Sequence, residues 1–378
     1  MIYYKCSGFA SLSSGVLRAR GLFYWEKIMK NKEFKTYHQL IDILRERGLQ
    51  IGKGAHENRV IRILEKENYY NVINGYKDLF LMEGCTSENE KYKQGTSFYE
   101  IFALYTFDRE IRHIYLKYLL MVENSFKTVL SHEFSRLYGH ENYLKLENFH
   151  AVYSTNNKVL KRIASANKLD MKTDLPIIYR LSAEENIGNI IKLIGDIQQE
   201  IARQMSKHHQ VVTHYMSEYG YIPLWVLVNV LTFGKVTSFY RLMKEPDKVA
   251  VAKTFGVPHD ELHKFMDFCS LARNKCAHDE RFFDIKFRGS LHTKSITNFN
   301  VLCLSRDQNG SYSSGTNDAF AIAIVFALLL NKSDIKDFVS AMKHSFRKLS
   351  KKLYTVTIEA VMQMMGYHSL WEKIIYLK

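Results

Sequence analysis

Residues 97–139 read SFYEIFALYTFDREIRHIYLKYLLMVENSFKTVLSHEFSRLYG, and this stretch decides the fold class. Ser97 and Glu100 form the pattern of a helix N-terminal capping box, and Gly139 is placed to end the helix. Between them, apolar side chains recur at helical spacing on one face: Ile101, Leu104, Ile111, Tyr115, Leu119, Val122, Phe126 and Leu130. The sequence therefore predicts one long helix with a buried stripe.

Helical patterns continue on both sides of this segment. Thr36 is placed to cap a first helix, and further patterns begin near His56 and cover about 186–219, 223–243, 260–276 and 319–363. Two segments differ, because residues 140–185 show no strong period and residues 295–312 alternate around the turn signal Asn309-Gly310. We therefore expect an all-α fold with a small β-hairpin or an ordered loop near 295–312.

The chain divides into four parts by pattern and composition. Residues 1–28 precede the first periodic pattern, so we expect an N-terminal extension and a natural start at Met29. Residues 29–95 form an N-terminal helical module that ends in a polar linker. Residues 96–350 form the main helical domain, and residues 351–378 form a C-terminal helical tail.

Composition points to a basic protein of a reducing compartment. Lys and Arg total 53 against 39 Asp and Glu, a net charge of +14 that attracts polyanions such as RNA, although many basic proteins bind nothing specific. The five cysteines form no C-x-x-C pair, which favours reduced thiols and a cytoplasmic location. The uncharged run 319–330 is shorter than the roughly 18–20 residues that span a membrane, and Asp318 can cap it, so we expect a buried core helix.

The segment Arg273-Asn-Lys-Cys-Ala-His278 pairs a permanent cation with a side chain that titrates near neutral pH. This pair suits RNA cleavage without a metal ion, in which the 2′-hydroxyl attacks the adjacent phosphorus. Histidine can move a proton, arginine can stabilise the phosphoryl charge, and Asn274 can orient the histidine or contact the phosphate. The spacing alone has little weight, because Arg203 and His208 also show it by chance.

Helix geometry restricts how this pair can act. On an ideal helix, Arg273 and His278 point about 140° apart, whereas Asn274 and His278 share a face. The motif therefore predicts a helix that bends or ends here, a second subunit that completes the site, or both.

Several blocks of the chain, taken in order, resemble the Abi (abortive infection) family of bacterial phage-defence proteins. The blocks are Arg47-Gly-Leu49, Asn68-Tyr-Tyr70 with Gly75-Tyr76, Leu104-Tyr-Thr-Phe-Asp-Arg-Glu-Ile-Arg112, Val122-Glu123, His214-Tyr215, Pro223-Leu-Trp225, Leu231-Thr-Phe-Gly234, and Arg273-Asn-Lys-Cys-Ala-His278 with Arg281. They span most of residues 36–290. An ordered series of blocks is far more specific than the six-residue motif.

The resemblance implies a HEPN-type helical bundle, since the family belongs to the HEPN superfamily of helical ribonucleases and RNA-binding domains. It further implies an endoribonuclease toxin similar to AbiD- and AbiF-type toxins, without metal or cofactor, acting on RNA as a homodimer away from membranes. Some relatives use a small RNA antitoxin. One departure is Asn229, at a position where the family usually carries an acid. If that acid aids catalysis or folding, the departure weakens the transfer of the family's function to this chain.

Other candidates have a functional and a structural interpretation. Asp108 interrupts the buried stripe and needs a partner, so Asp108, Arg109 and Arg112 either line the active site or form a buried ion-pair network. Arg109 is the best functional candidate, because Arg112 can pair with Asp108. Glu123 can orient a catalytic group or form a salt bridge.

Three groups of residues are weaker candidates. Tyr69, Tyr70 and Tyr76 can stack on bases, although an aromatic core is favoured. A basic group can follow phosphates or form a solvated surface: Lys161, Arg162, Lys168 and Lys172. Cys269 and Cys276 fall on an apolar stripe and predict core packing rather than a metal site.

Two rival functions stay open. The first is a non-catalytic RNA-binding protein with a degenerate site, and the second is a protein-interaction module of phage defence. Nucleotide-hydrolysis, serine-esterase and dinucleotide-binding motifs are absent from the sequence.

Overall fold

A computed structural model describes residues 33–86, 89–306, 308, 310 and 312–377. These residues confirm the predicted all-α class and form no β-strand. The α-helices are α1 (Tyr37–Glu46), α2 (Ala55–Lys66), α3 (Phe98–Tyr138), α4 (Asn157–Asn167), α5 (Leu175–Ser206), α6 (Gln210–Tyr219), α7 (Leu224–Leu227), α8 (Phe233–Leu242), α9 (Glu245–Phe255), α10 (His259–Ala277), α11 (Ala319–Leu329), α12 (Lys332–Ser350) and α13 (Ile358–Met364). A π-helix spans Tyr70–Asn74, and short 3-10 helices span Asp78–Phe80, Asn142–Leu144, Leu146–Asn148, Thr293–Ser295, Phe299–Leu302 and Trp371–Tyr376.

Helix α3 is the axis of the fold. It has 41 residues and a length of about 60 Å at 1.5 Å per residue. Ser97 and Glu100 form the predicted capping box, and Gly139 ends the helix with a φ of +85°. All eight side chains of the predicted stripe are buried, so the stripe identified in the sequence is the face that carries the core.

The neighbours of α3 complete one continuous core. Helix α10 packs along it in the antiparallel direction, because Glu123 contacts Arg273 whereas Asp108 contacts the Phe283 amide. Helix α12 packs on another side, and α7 and α9 cover the C-terminal half. Buried side chains from Ile41 to Leu377 belong to this core, and Cys269 and Cys276 lie in it as predicted.

Helix α11 is the buried core helix expected at 319–330. Each of its residues is buried, and the Asp318 carboxylate accepts a hydrogen bond from the Ala321 amide at 3.3 Å. Among the described residues, no helix is both long and apolar enough to cross a membrane.

Two expectations about helices are wrong. Residues 140–185 contain α4 and the start of α5, which pack through a separate small cluster of Leu160, Ile163, Ala164 and Ile178. The expected helix from Pro223 to Met243 is instead split into α7 and α8. The split has a local cause, because the Thr232 hydroxyl accepts from the Lys235 amide and starts a new helix.

The hairpin expected near 295–312 is also wrong, and the ordered-loop alternative holds. The described residues of this segment form short 3-10 turns and one isolated antiparallel bridge between Arg306 and Tyr312. Asn298 and Cys303 adopt left-handed conformations, with φ of +55° and +49°, which interrupt an extended strand. The predicted extension at 1–28 lies outside the described residues, and the four-part division stays a prediction.

Candidate functional site

The predicted motif lies where α10 ends. The last helical residue is Ala277, and His278 is the C-cap. Asp279 follows in the left-handed conformation, with φ of +58°, and the Glu280 amide donates to the Lys275 carbonyl at 3.1 Å. This is the six-to-one hydrogen bond of a Schellman motif, which turns the chain away from the helix axis. The helix end that the motif spacing required is therefore present, and His278 is exposed beside it.

Asp108 joins the segment after α10 to α3. Its fully buried carboxylate accepts from the Tyr76 hydroxyl at 2.6 Å, from the Phe283 amide at 2.7 Å and from the Phe282 amide at 3.2 Å. Arg112 Nε lies 3.7 Å away. Burial raises the pKa of Asp108 to about 6, while these donors act in the opposite direction. Above neutral pH the group is therefore an ionised acceptor for three donors from distant parts of the chain.

Arg112 fixes the residue next to the histidine. Only 3% of its side chain is exposed, and it donates to the Glu280 carbonyl at 2.9 Å and to the Asp279 carboxylate at 2.7 Å. A buried guanidinium requires such partners. Because Asp279 directly follows His278, the ion pair fixes the backbone from which the imidazole extends. Asp108 and Arg112 thus lie inside an ion-pair network, behind the surface that His278 faces.

Arg109 is held one turn before Arg112. Its guanidinium makes two hydrogen bonds of 2.9 Å to Glu67, contacts the Tyr105 hydroxyl and lies 3.6 Å from Asp279. The hydrogen bonds to Glu67 raise the pKa of Arg109 above its already high value. About a third of the side chain is exposed, so this paired cation can still meet an anion from solvent.

A surface pocket of about 890 Å³ opens beside His278, and we call it the histidine pocket. Its walls include Tyr70, Tyr105, Lys275 and Arg281. Within the described residues, the imidazole has no hydrogen-bond partner, so both ring nitrogens can exchange protons with a bound molecule. The pocket therefore combines a histidine, aromatic rings, the three cations Lys275, Arg281 and Lys286, and four carboxylates.

The cations of the histidine pocket are positioned by carboxylates. Arg281 bonds to Asp284 at 2.5 Å, and Lys275 bonds to Glu280 at 2.9 Å. Tyr70, by contrast, presents 63% of its surface to solvent. An exposed ring next to paired cations suits a base with its phosphate.

Arg273 and Asn274 do not line the histidine pocket. Arg273 Nε lies 3.2 Å from the buried Glu123 carboxylate, whose other oxygen lies 2.8 Å from Lys127. Asn274 is exposed on the same stretch of helix. Within one chain, the arginine and the histidine of the motif therefore face different surroundings.

The predicted site residues thus fall into three places. His278 and Arg281 line the histidine pocket, Asp108, Arg109 and Arg112 support it, and Arg273, Asn274 and Glu123 lie outside it. The sequence reasoning missed Glu67 and Asp279. Their positions could have indicated them, because Glu67 directly precedes the Asn68 block and Asp279 directly follows His278.

The histidine pocket draws on segments that are far apart in sequence, and a family model described as Abi-like protein covers them, matching residues 62–284. This is more than half of the chain. The chain belongs to the Abi-like protein family. No curated protein and no solved structure matches it. Membership associates the chain with abortive infection, a defence against phage.

The family segment and the site coincide closely. The family segment begins in α2 just before Glu67 and ends at Asp284, so it includes Asp108 and His278.

The described residues contain no group of three or more His, Cys, Asp or Glu that could hold a metal ion.

Proposed function

We propose that this Abi-like protein is a metal-independent endoribonuclease toxin with a HEPN-type fold, and that the histidine pocket holds the scissile phosphate. The observation that carries the proposal is the position of His278. Its imidazole is exposed and unpaired in the described chain, while its backbone is fixed by the exposed Asp279, which pairs with Arg112 of the buried Asp108–Arg112 pair. A rigid support behind a free proton-transfer group is what general acid–base catalysis requires.

The chemistry assigned to the pocket is transesterification. The 2′-hydroxyl oxygen forms a bond to the adjacent phosphorus, and the bond from phosphorus to the 5′-oxygen breaks. One group takes the 2′ proton and another gives a proton to the 5′-oxygen, which leaves a 2′,3′-cyclic phosphate and a 5′-hydroxyl. We assign one of these transfers to His278, and we assign the stabilisation of the phosphoryl charge to Lys275 and Arg281, which line the same pocket.

In this proposal, Arg273 acts across the interface of a homodimer. Its guanidinium lies on another side of α10 from the histidine pocket, beside Glu123. Leu271 and Leu120 expose 44% and 46% of their surfaces close to this pair in sequence, and such side chains suit a subunit interface. We therefore propose that Arg273 of one chain completes the pocket of the other.

RNA cleavage by purified protein in EDTA tests the enzymatic proposal. We expect wild-type protein to produce 2′,3′-cyclic phosphate ends and His278→Ala to lose this activity. His56→Ala, which removes an exposed histidine from α2, is the matched control and retains it. Equal cleavage by His278→Ala would reject the assignment, and cleavage that disappears in EDTA would reject the metal-independent mechanism.

Mixing two inactive variants tests the shared site. Arg273→Ala and His278→Ala subunits together rebuild one complete Arg–His pair if the residues act across an interface. We expect each variant alone to be inactive and the mixture to regain part of the activity. Two different affinity tags and size-exclusion chromatography verify that a heterodimer has formed. If that heterodimer regains no RNA cleavage, the shared site is wrong.

A non-catalytic RNA-binding function is the second candidate. The observation that favours it is the ion pair of Arg273 with Glu123, which neutralises the arginine of the motif within one chain. This candidate predicts RNA binding that His278→Ala leaves intact and no cleavage by any variant. Sequencing RNA that co-purifies from the cytoplasm would also identify a bound substrate or a small RNA antitoxin.

A further inference from the structure

A second pocket lies along the N-terminal part of α3, where the C-terminal end of α12 packs on it. Its volume is about 470 Å³, within the range of small-molecule sites. Its walls include Tyr99, Phe102, Phe107, Lys348, Lys351 and Tyr354, and we call it the lysine pocket. The α12 side lies outside the segment that the family model matches.

The charge around the lysine pocket is strongly positive. Three lysines line the pocket: Lys348, Lys351 and Lys352. The acid that faces the pocket, Glu110, already bonds to Lys348 at 2.8 Å and to Ser345 at 2.9 Å. Lys351 and Lys352 are exposed and have no acidic partner among the described residues. The pocket is therefore complementary to an anion.

The rim of the lysine pocket also holds exposed aromatic rings on anchored backbone. Tyr354 is 83% exposed, yet its amide and that of Thr355 each donate to the buried Glu100 carboxylate at 2.7 Å. Tyr99 is 39% exposed on the opposite rim. A ring anchored through its backbone but left in water is suited to stack on a base, at a low entropic cost.

The two pockets are separated by one pair of rings. Tyr105 lines the histidine pocket and Phe102 lines the lysine pocket, and the two rings stack with centroids 5.9 Å apart. Arg109 lies over the Tyr105 ring at 4.9 Å and places a cation beside it. The linings of the two pockets therefore meet at this pair of rings.

We propose that the lysine pocket is a second RNA subsite, which takes a base and its phosphate from the strand whose scissile phosphate lies at His278. This rests on the proposed function, because it takes RNA to be the substrate. The subsite would fix where along a strand cleavage occurs.

Binding of a labelled single-stranded 2′-O-methyl RNA, which cannot be cleaved by its own 2′-oxygen, tests the proposal in the full chain. Lys351→Gln with Lys352→Gln should weaken binding and reduce the slope of log K against log salt by about 0.7, the value for one phosphate contact. Lys332→Gln with Lys336→Gln removes equal charge at the other end of α12 and should leave the slope unchanged. Tyr354→Ala should weaken binding about tenfold, whereas Tyr376→Ala, which also removes an exposed ring, should not.

The outcomes separate the subsite from the proposed function. If RNA binds and is cleaved equally well by the Lys351/Lys352 and Tyr354 variants, the subsite is wrong and the enzyme assignment stands. If the wild-type chain binds no RNA, both are wrong. Saturation of the pocket by adenosine monophosphate in a chain that binds no RNA would instead assign a free nucleotide and overturn the subsite.

Discussion

Asp108 gives a prediction about how the stability of the fold changes with pH. Burial raises the pKa of its carboxyl from 3.8 in the unfolded chain to about 6 in the folded protein. Between these values the folded chain binds more protons than the unfolded chain. The contribution of Asp108 to stability is therefore present at low pH and is lost as the pH rises through this window.

The size of the effect follows from the two pKa values. At about 1.36 kcal/mol per pH unit, their difference corresponds to about 3 kcal/mol in full, of which about 2 kcal/mol falls between pH 4.5 and 7.5. Asp108→Asn has nearly the same shape and cannot titrate. The free energy of unfolding of the wild type minus that of the variant should therefore fall by about 2 kcal/mol over this range.

Urea denaturation followed by circular dichroism at four pH values measures this difference. Glu110→Gln is the control of opposite sign. Burial raises the pKa of Glu110, but the hydrogen bonds from Lys348 and Ser345 outweigh burial, so the pKa is lowered overall. The free energy of unfolding of the wild type minus that of this variant should grow as the pH rises, mainly below about pH 4.5, and should not fall between pH 4.5 and 7.5. A gap for Asp108→Asn that is flat, or that also grows, would show that the donors around Asp108 outweigh its burial and would refute the reasoning.

Three further substitutions test the surroundings of the site. Gly366→Ala should lower stability by at least about 2 kcal/mol, because Gly366 has a φ of +83° and an added Cβ would lie 2.2 Å from the Asp318 carboxyl group; an unchanged melting temperature would contradict this. Asp279→Asn keeps a side chain that tolerates the left-handed conformation but removes the charge beside the buried Arg112, so the melting temperature should fall and RNA cleavage should fall at least about tenfold at a temperature where the variant stays folded; wild-type cleavage would contradict this. Arg109→Lys should cost about 1 kcal/mol in urea denaturation, because lysine cannot make the bidentate pair with Glu67, and no change would show that this part-exposed pair contributes nothing.

The parts of the fold that were predictable are those with strong local signals. The capping box at Ser97 and the regular apolar stripe identified α3, and the Asp318 cap with an uncharged run identified α11. Helix α4 was missed because it buries only a short apolar face of Leu160, Ile163 and Ala164 among polar residues. Local pattern is weak wherever a helix buries few side chains.

The candidate site was predictable only in part, for a different reason. Asp108 was conspicuous as an acid on an apolar stripe, but two of its donors are the backbone amides of Phe282 and Phe283, which any residue could supply. The pairing of Arg109 with Glu67 joins α3 to the end of α2, 42 residues earlier, and no spacing rule predicts it. Contacts of this kind are set by tertiary packing and leave no periodic trace in the sequence.

Tyr115 shows how residues 285–377, which follow the family-matched segment and which we call the C-terminal extension, bear on the site. Its fully buried ring lies 4.7 Å from Phe282, whose amide bonds to Asp108, and its hydroxyl donates to the Ala319 carbonyl at 3.0 Å and pairs with Tyr367. One side chain thus touches both the support of His278 and two residues beyond the family-matched segment. Because close-packed interiors transmit small shifts, changes in the extension can move this support without altering the histidine pocket itself. The same extension provides the lysines of the second pocket, so it is well placed to set how the family site is used in this chain.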